Sequence, residues 1–281
     1  MARRGLAEAT RVDYGRAARG FLSFLESAGF HGLEDACPGS VLDFLAWLAG
    51  HGWASSSLFW VASNLRPFLK FAGRQDLVDS LNMAGVTRTQ STPPVLDDAD
   101  VGKIIDTCSS DRVSSRDAAI TMLALSTGLR AIDIINLRLG DVDWPGLTIR
   151  LVQHKTGNPL VLPMIDVLAA RLADYVLNER PAGVDTHLFL RVLAPFHSFA
   201  DHAAIHAITS KTIRLAGVDR ACTGTRFLRH CAASRLLRAG SPLPTIAAVL
   251  GHSDMDSTRV YLATDTDRLL ECVLPLPKVA A

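Results

Sequence analysis

The sequence carries almost no surplus of charge. Its 29 basic residues face 28 acidic ones, a formal net charge of +1 over 281 residues. Bulk attraction to a polyanion is thereby excluded, so any anion-binding surface must come from local arrangement. Metal-type cysteine spacing is missing too. Cys37, Cys108, Cys222, Cys231 and Cys272 are scattered, odd in number and without a CxxC pair. That pattern excludes a disulfide framework and predicts reduced, mostly buried thiols in a cytosolic protein, with no metal or cofactor. Long hydrophobic runs are absent: nothing approaches the ~18 uninterrupted apolar residues of a membrane span. The opening MARRGLAEAT has no apolar signal core, so the expectation is a soluble cytoplasmic chain with no membrane partner. Neither an internal repeat nor a low-complexity tract is present.

What is present is helical periodicity. Apolar residues make up 48% of the chain, enough to build cores for two ordinary domains. Residues 8–30 carry apolar positions at helical spacing and end on Ala-Gly. Further helices are expected over 40–52, with Ser40 as N-cap, and over 55–73. These three segments predict an N-terminal all-helical domain over 1–88. The composition then shifts to Thr, Ser and paired prolines in VTRTQSTPPVLDDAD, which places a linker at 89–96 and a second domain at 97–281. In the second domain helices are expected over 97–108, 114–128 and 130–142. LTIRLV and PLVLPM read as two strands around the turn QHKTGN, a hairpin with Gly157 at its bend. Helices follow over 165–179, 200–217, 224–240, 244–251 and 257–265. The fold class is mainly α with one small β-sheet.

One helix contains an anomaly. In GTRFLRHCAASRLLRAG (224–240), Leu228, Ala232, Ala233, Leu236 and Leu237 make an apolar stripe at 3.6-residue spacing. Arg229 falls inside that stripe, with Arg226 and His230 at its edge. Burying a guanidinium without an anion costs several kcal/mol. Either an internal carboxylate neutralises it, or the face is the floor of a cleft that receives a ligand anion. Phosphate suits the second case, because the Arg fork makes two parallel hydrogen bonds to it.

Other residues can meet there. Arg130 follows the breaker Gly128 in STGLRAIDIINL, and Asp133 lies one turn on, able to hold it. Lys155 sits at the hairpin tip. His252 ends a helix in VLGHS, and Tyr261 lies nine residues later with Thr258 one turn before it. Each alone has a bland explanation: solubility, helix capping or packing.

Taken in order, TGLR, the KTG hairpin, LRH, LGHSDMDSTRVY and its closing Tyr resemble the tyrosine recombinase (phage integrase) family over essentially the whole chain. The resemblance implies an N-terminal core-binding, SAM-like domain and a catalytic domain, together a C-shaped clamp on DNA. It implies that Arg130 and Arg229 grip the scissile phosphate, Lys155 protonates the leaving 5′-oxygen, and His252 hydrogen-bonds the phosphate. Tyr261 would attack phosphorus and form a 3′-phosphotyrosyl link, with Asp133 supporting Arg130. The partners implied are a double-stranded recombination site and a homo-tetramer, or related recombinases, on two duplexes that exchange strands through a Holliday junction. The setting implied is the bacterial nucleoid, with integration, excision or transposition of a mobile element as the role. Xer-like resolution is the alternative role, a catalytically silent DNA-binding subunit an alternative function, and a topoisomerase-like relaxing enzyme a third.

One position departs from the family. Where HxLRH is usual, this chain has RFLRH, with Arg226 in place of His. An arginine stays protonated and cannot serve as a general base. Three outcomes stay open: Arg226 is a third phosphate clamp, His230 takes over as base, or activity is weak. DNA contacts are expected from Arg11, Arg16, Arg19, Arg66, Lys70 and Arg74 in the N-terminal domain. Lys211 and Arg214 are the corresponding expectations in the second.

Overall fold

The computed structural model describes residues 6, 8–84, 94–183, 185–220, 223–251, 258 and 262. The chain divides into two compact units, Met1–Ser91 and Thr92–Ala281.

The first unit is a bundle of α1 (Glu8–Ser27), α2 (Pro38–Gly50), α3 (Ser55–Phe71) and α4 (Gln75–Met83). Phe21, Leu25, Val41, Phe44, Leu65, Leu69, Leu77 and Leu81 fill its core. Two features differ from the sequence expectation. Ser40 is not the N-cap of α2. The helix begins earlier, with Cys37 as N-cap, and the Ser40 hydroxyl oxygen accepts a hydrogen bond from the Cys37 N–H at 3.1 Å. Pro38 at the first helical position explains the earlier start, since its fixed φ suits that place and its missing N–H would be unpaired there anyway. The fourth helix, α4, was not anticipated. Its nine residues bury Leu77, Val78 and Leu81, too short a run for periodicity to reveal.

The second unit comprises α5 (Asp98–Ser109), α6 (Ser115–Thr127), α7 (Ala131–Asn136) and β1 (Val142–Asp143), then β2 (Thr148–Val152) and β3 (Pro159–Pro163). There follow α8 (Asp166–Asp174), continued by a π-helical turn to Glu179, α9 (His202–Leu215), α10 (Thr225–Arg238) and α11 (Leu243–Leu250). Side-chain caps start three of these helices. Asp97 accepts from Asp100 N–H, Ser114 from Asp117 N–H and Asp201 from Ala203 N–H. Helix α6 is buried almost all round, from Ala118 to Leu125, which marks it as the central helix. It packs against α5, α8, α9 and α10.

The strands form one antiparallel sheet in the order β1-β2-β3, with Val142 opposite Ile149 and Ile149 opposite Leu162. The expected helix over 130–142 stops at Asn136. Leu137 turns extended, and the main chain pairs instead with the 186–188 segment through Leu139 N–H to Thr186 O and Leu188 N–H to Leu137 O. Leu96, expected in the linker, is buried in this unit's core, and its N–H donates to Cys231 Sγ at 3.2 Å. Cys108 and Cys231 are buried, as expected, and burial pushes their thiols up to about 12 and about 11. Cys37 is exposed, which an expectation of mostly buried thiols allows, while Cys222 and Cys272 lie outside the described residues. No helix among the described residues is long and apolar enough to cross a membrane.

Candidate active site

The end of α6 sets the geometry. Gly128 takes the left-handed conformation, φ +66°, and closes the helix as its C-cap. A Cβ there would lie 2.9 Å from Leu250 Cδ2 and 3.1 Å from Ala232 Cβ. Only a glycine lets α6, α10 and α11 approach this closely.

Arg229 resolves its anomaly at this meeting point. The residue is 8% exposed. Its Nη1 donates to Gly128 O at 2.9 Å, and its Nη2 donates to Leu250 O. Arg130 is the N-cap residue of α7, and its Nη2 donates to Gly251 O at 2.7 Å. Two arginines 99 positions apart thus take consecutive main-chain carbonyls. A third consecutive carbonyl, Val249 O, accepts from Gln153 Nε2 at 3.2 Å. These are carbonyls of the last turn of α11 and its C-cap, groups that a helix end leaves without intrahelical partners. The helix dipole adds partial negative charge there, which favours cations.

The hairpin is tied into the same centre. Asp133 is buried on α7; its Oδ1 accepts from His154 N–H at 2.8 Å, and its Oδ2 stands 4.0 Å from Arg130 Nη1. That separation is an ion pair without a hydrogen bond, and neither of those two atoms has a hydrogen-bond partner among the described residues. Lys155, next to His154, is exposed at the hairpin tip. Arg130, Arg229, Asp133 and the base of the Lys155 hairpin are therefore brought together around the end of α11, one residue before His252. Among the described residues, no group of His, Cys, Asp and Glu side chains is arranged to hold a metal ion.

Residues 94–268 match the sequence profile of the phage integrase family, and residues 1–76 match that of the phage integrase N-terminal SAM-like domain. The chain belongs to the phage integrase family. Among curated relatives, the putative integrase/recombinase y4rA of Sinorhizobium fredii is 30% identical over 280 residues, covering 98% of this chain and 68% of that protein. Tyrosine recombinase XerC of Rhizobium meliloti is 28% identical, covering 95% and 87%. Among solved structures, XerH recombinase bound to a palindromic difH substrate superposes with a TM-score of 0.79 at 19% identity, covering 92% and 78%. The Tn1549 transposon integrase in complex with a circular intermediate DNA gives 0.72 at 15%, covering 95% and 96%. This integrase-family chain is a tyrosine-type site-specific recombinase, an enzyme that breaks and rejoins DNA.

The remaining expected site residues of the recombinase fall in three groups. Arg226 is exposed in the first turn of α10. His230, one turn on, is half-buried, and burial pushes its imidazole down to about 4, with the charges of Arg226 and Arg229 adding to the effect. Its ring is neutral at pH 7 but only weakly basic. His252 and Tyr261 lie outside the described residues; Thr258, between them, is fully buried.

Among the expected DNA contacts, Arg11, Arg16, Arg19, Lys70, Lys211 and Arg214 are exposed, and Arg16 pairs with Asp13 at 3.5 Å. Arg66 donates to Asn82 Oδ1 at 3.0 Å, while its Nε is buried with no partner among the described residues. Arg74 is bonded within the bundle. Its guanidinium donates to Leu33 O and Ala36 O and to the Asp76 carboxylate, so it ties the α3–α4 corner to the α1–α2 connection. The bonds to Leu33 O and Ala36 O are part-buried, and those to Asp76 lie at the surface. Gln153 and His154 were not anticipated at all. Neither residue type nor spacing distinguishes them within QHKTGN.

Proposed function

We propose that this recombinase cuts and rejoins a specific duplex site by attack of Tyr261 on the scissile phosphate. The observation that carries the reading is the convergence of Arg130 and Arg229 on Gly251 O and Leu250 O, beside the Lys155 hairpin and immediately before His252. Attack builds charge on the equatorial oxygens of the transition state. Cationic donors already fixed in place stabilise that charge without reorganising. In the forward step the Tyr261 Oη–P bond forms and the P–O5′ bond breaks. Lys155 supplies the proton to the departing 5′-oxygen, and Arg130, Arg229 and His252 bind the non-bridging oxygens. The 3′-phosphotyrosyl link conserves the phosphodiester, so the reverse step rejoins DNA.

Arg226 fits a third phosphate clamp better than the alternatives. His230 has a proton affinity far below the operating pH, where a general base works poorly. The phenol proton then passes to water, aided by nearby cations that favour the phenolate. The partner is a duplex recombination site, with a homo-tetramer joining two duplexes. A mobile-element role is supported by relatives named as integrases/recombinases, as in y4rA. The XerC relative supports the second reading, resolution at an Xer-like site.

A nicked duplex carrying the native site, found by covalent capture from the DNA flanking the gene, tests the reading. A protein–DNA adduct that disappears with Tyr261→Phe is the expected result. Binding without any adduct, or an adduct that survives Tyr261→Phe, overturns it.

A further inference from the structure

Three consecutive carbonyls at the end of α11 receive side chains from three separate elements. Leu250 O and Gly251 O take the two arginines, and Val249 O takes Gln153. Gln153 is 1% exposed although it opens a solvent-facing turn. Its amide is held at both ends: Nε2 donates to Val249 O, and Oε1 accepts from the Thr156 hydroxyl at 2.9 Å. Its main chain closes the tip, with Gln153 N–H to Asn158 O at 2.9 Å and Gly157 N–H to Gln153 O at 2.8 Å. Gly251, in the left-handed conformation at φ +65°, leaves the space this amide occupies, and a Cβ on residue 251 would overlap it. A buried amide with both ends satisfied is a rigid strut, because breaking either bond strands a polar group. The residue two positions on is Lys155, on a stem of four rotatable carbons.

We propose that Gln153 is a positioning residue for the proton donor of strand cleavage, fixing the Lys155 hairpin to the same helix terminus that holds Arg130 and Arg229. The proposal rests on the reading of Lys155 as the acid that protonates the 5′-oxygen. Asp133, through His154 N–H, is the second anchor of the tip. With both in place the hairpin moves as one body with the arginines. Without Gln153 the ammonium samples a wider volume, and the leaving oxygen departs unprotonated more often. Gln153 need not touch DNA for this effect.

The test separates positioning from folding and from the Lys155 assignment. Single-turnover cleavage is measured on two nicked duplexes, one with an ordinary phosphodiester and one with sulfur in the bridging 5′ position. A thiolate leaves without a proton, since thiols ionise near pH 8.5. Gln153→Met fills the buried slot and loses both bonds. Its cleavage of the ordinary duplex is expected to slow by about 10- to 100-fold, at or below the 10²–10⁴ range of a complete general acid. On the sulfur duplex it should cleave at close to the wild-type rate. Thr156→Val removes only the Oε1 bond and should give the same pattern more weakly; it carries the test if Gln153→Met fails to fold. No slowing on the ordinary duplex, or equal slowing on both, overturns the proposal. Lys155→Ala runs in parallel. If sulfur fails to restore Lys155→Ala, the acid assignment itself is wrong. If it restores Lys155→Ala but not Gln153→Met, only the positioning role fails.

Discussion

Replacing Gly128 by alanine perturbs the site without touching a charged group. Two costs follow from the geometry. The left-handed conformation at φ +66° strains an L-residue by about 1–2 kcal/mol. The new methyl would meet Leu250 Cδ2 at 2.9 Å and Ala232 Cβ at 3.1 Å. Leu250 can rotate away, but Ala232 has no side-chain freedom, so overpacking adds about 1–2 kcal/mol. The sum, about 2–4 kcal/mol, corresponds to roughly 4–16 °C in Tm for a unit of this size. Gly217→Ala is the internal control. It shares the conformation, φ +71°, but a Cβ there has nothing within 4 Å, so only the strain remains. The assay is thermal unfolding of the full chain followed by circular dichroism, with single-turnover cleavage measured well below the transition. Gly128→Ala should also cleave more slowly, because Gly128 O holds Arg229 Nη1. If Gly128→Ala is no less stable than Gly217→Ala, the tight approach of α6, α10 and α11 is wrong.

Arg226→Ala is expected to slow formation of the covalent adduct by more than tenfold while leaving the melting temperature within a degree or two, since the side chain is exposed; wild-type cleavage would remove it from the phosphate clamp. Arg74→Ala should destabilise the first unit by about 2–3 kcal/mol, because Leu33 O and Ala36 O lose their donor, and its effect on DNA affinity should vanish once stability is matched. The salt dependence of binding, compared between Arg74→Ala and Lys70→Ala, checks the second half. His230 makes the second unit acid-labile. Its folded-state value of about 4 lies below the ordinary 6.5, so the unfolded chain binds the extra proton as pH falls through that window, and stability is lost. After discounting for partial solvation the loss is about 1 kcal/mol. Melts of His230→Gln between pH 7 and pH 4.5 should show a shallower decline than wild type, and parallel curves would refute the assignment.

The cations of the candidate site were more legible than the groups that hold them. TGLR, LRH and the KTG turn announce themselves because cations sit at breakers or inside an apolar stripe. Arg229 was conspicuous for that reason. Its partners were not, because carbonyls at helix ends carry no side-chain signature. Gln153 is the extreme case: its significance lies wholly in a tertiary bond to Val249 O, 96 positions away. The fold follows the same divide. Long helices such as α1 and α6 were readable from period and capping. The two-residue strand β1 was hidden, as was the early stop of α7, because pairing with the 186–188 segment overrides the helical pattern of RAIDIINLRLGDV. Arg74 shows the opposite limit. The sequence offers it as a DNA contact, and only the folded bundle shows its bonds to Leu33 O and Ala36 O.

For the proposed role of Arg130 and Arg229 as phosphate clamps, the choice of carbonyls as anchors has a consequence. A side chain with that role has to be held still and yet keep its field uncompensated. A bonded carboxylate achieves the first at the expense of the second, although the arginine itself stays protonated. Carbonyl oxygens at a helix terminus offer partial charge only, enough to fix a guanidinium and too little to neutralise it. Arg130 follows this logic: its Nη2 is bonded to Gly251 O, while the nearest oxygen of Asp133 stays 4.0 Å from Nη1. Asp133 commits its other oxygen to His154 N–H instead. One carboxylate thereby moderates the field at Arg130 and secures the hairpin that carries Lys155. The end of α11 then acts as a common reference frame. Both arginines and the hairpin base are bonded to it, so their mutual geometry is set by one helix terminus, as the proposed phosphate contact requires.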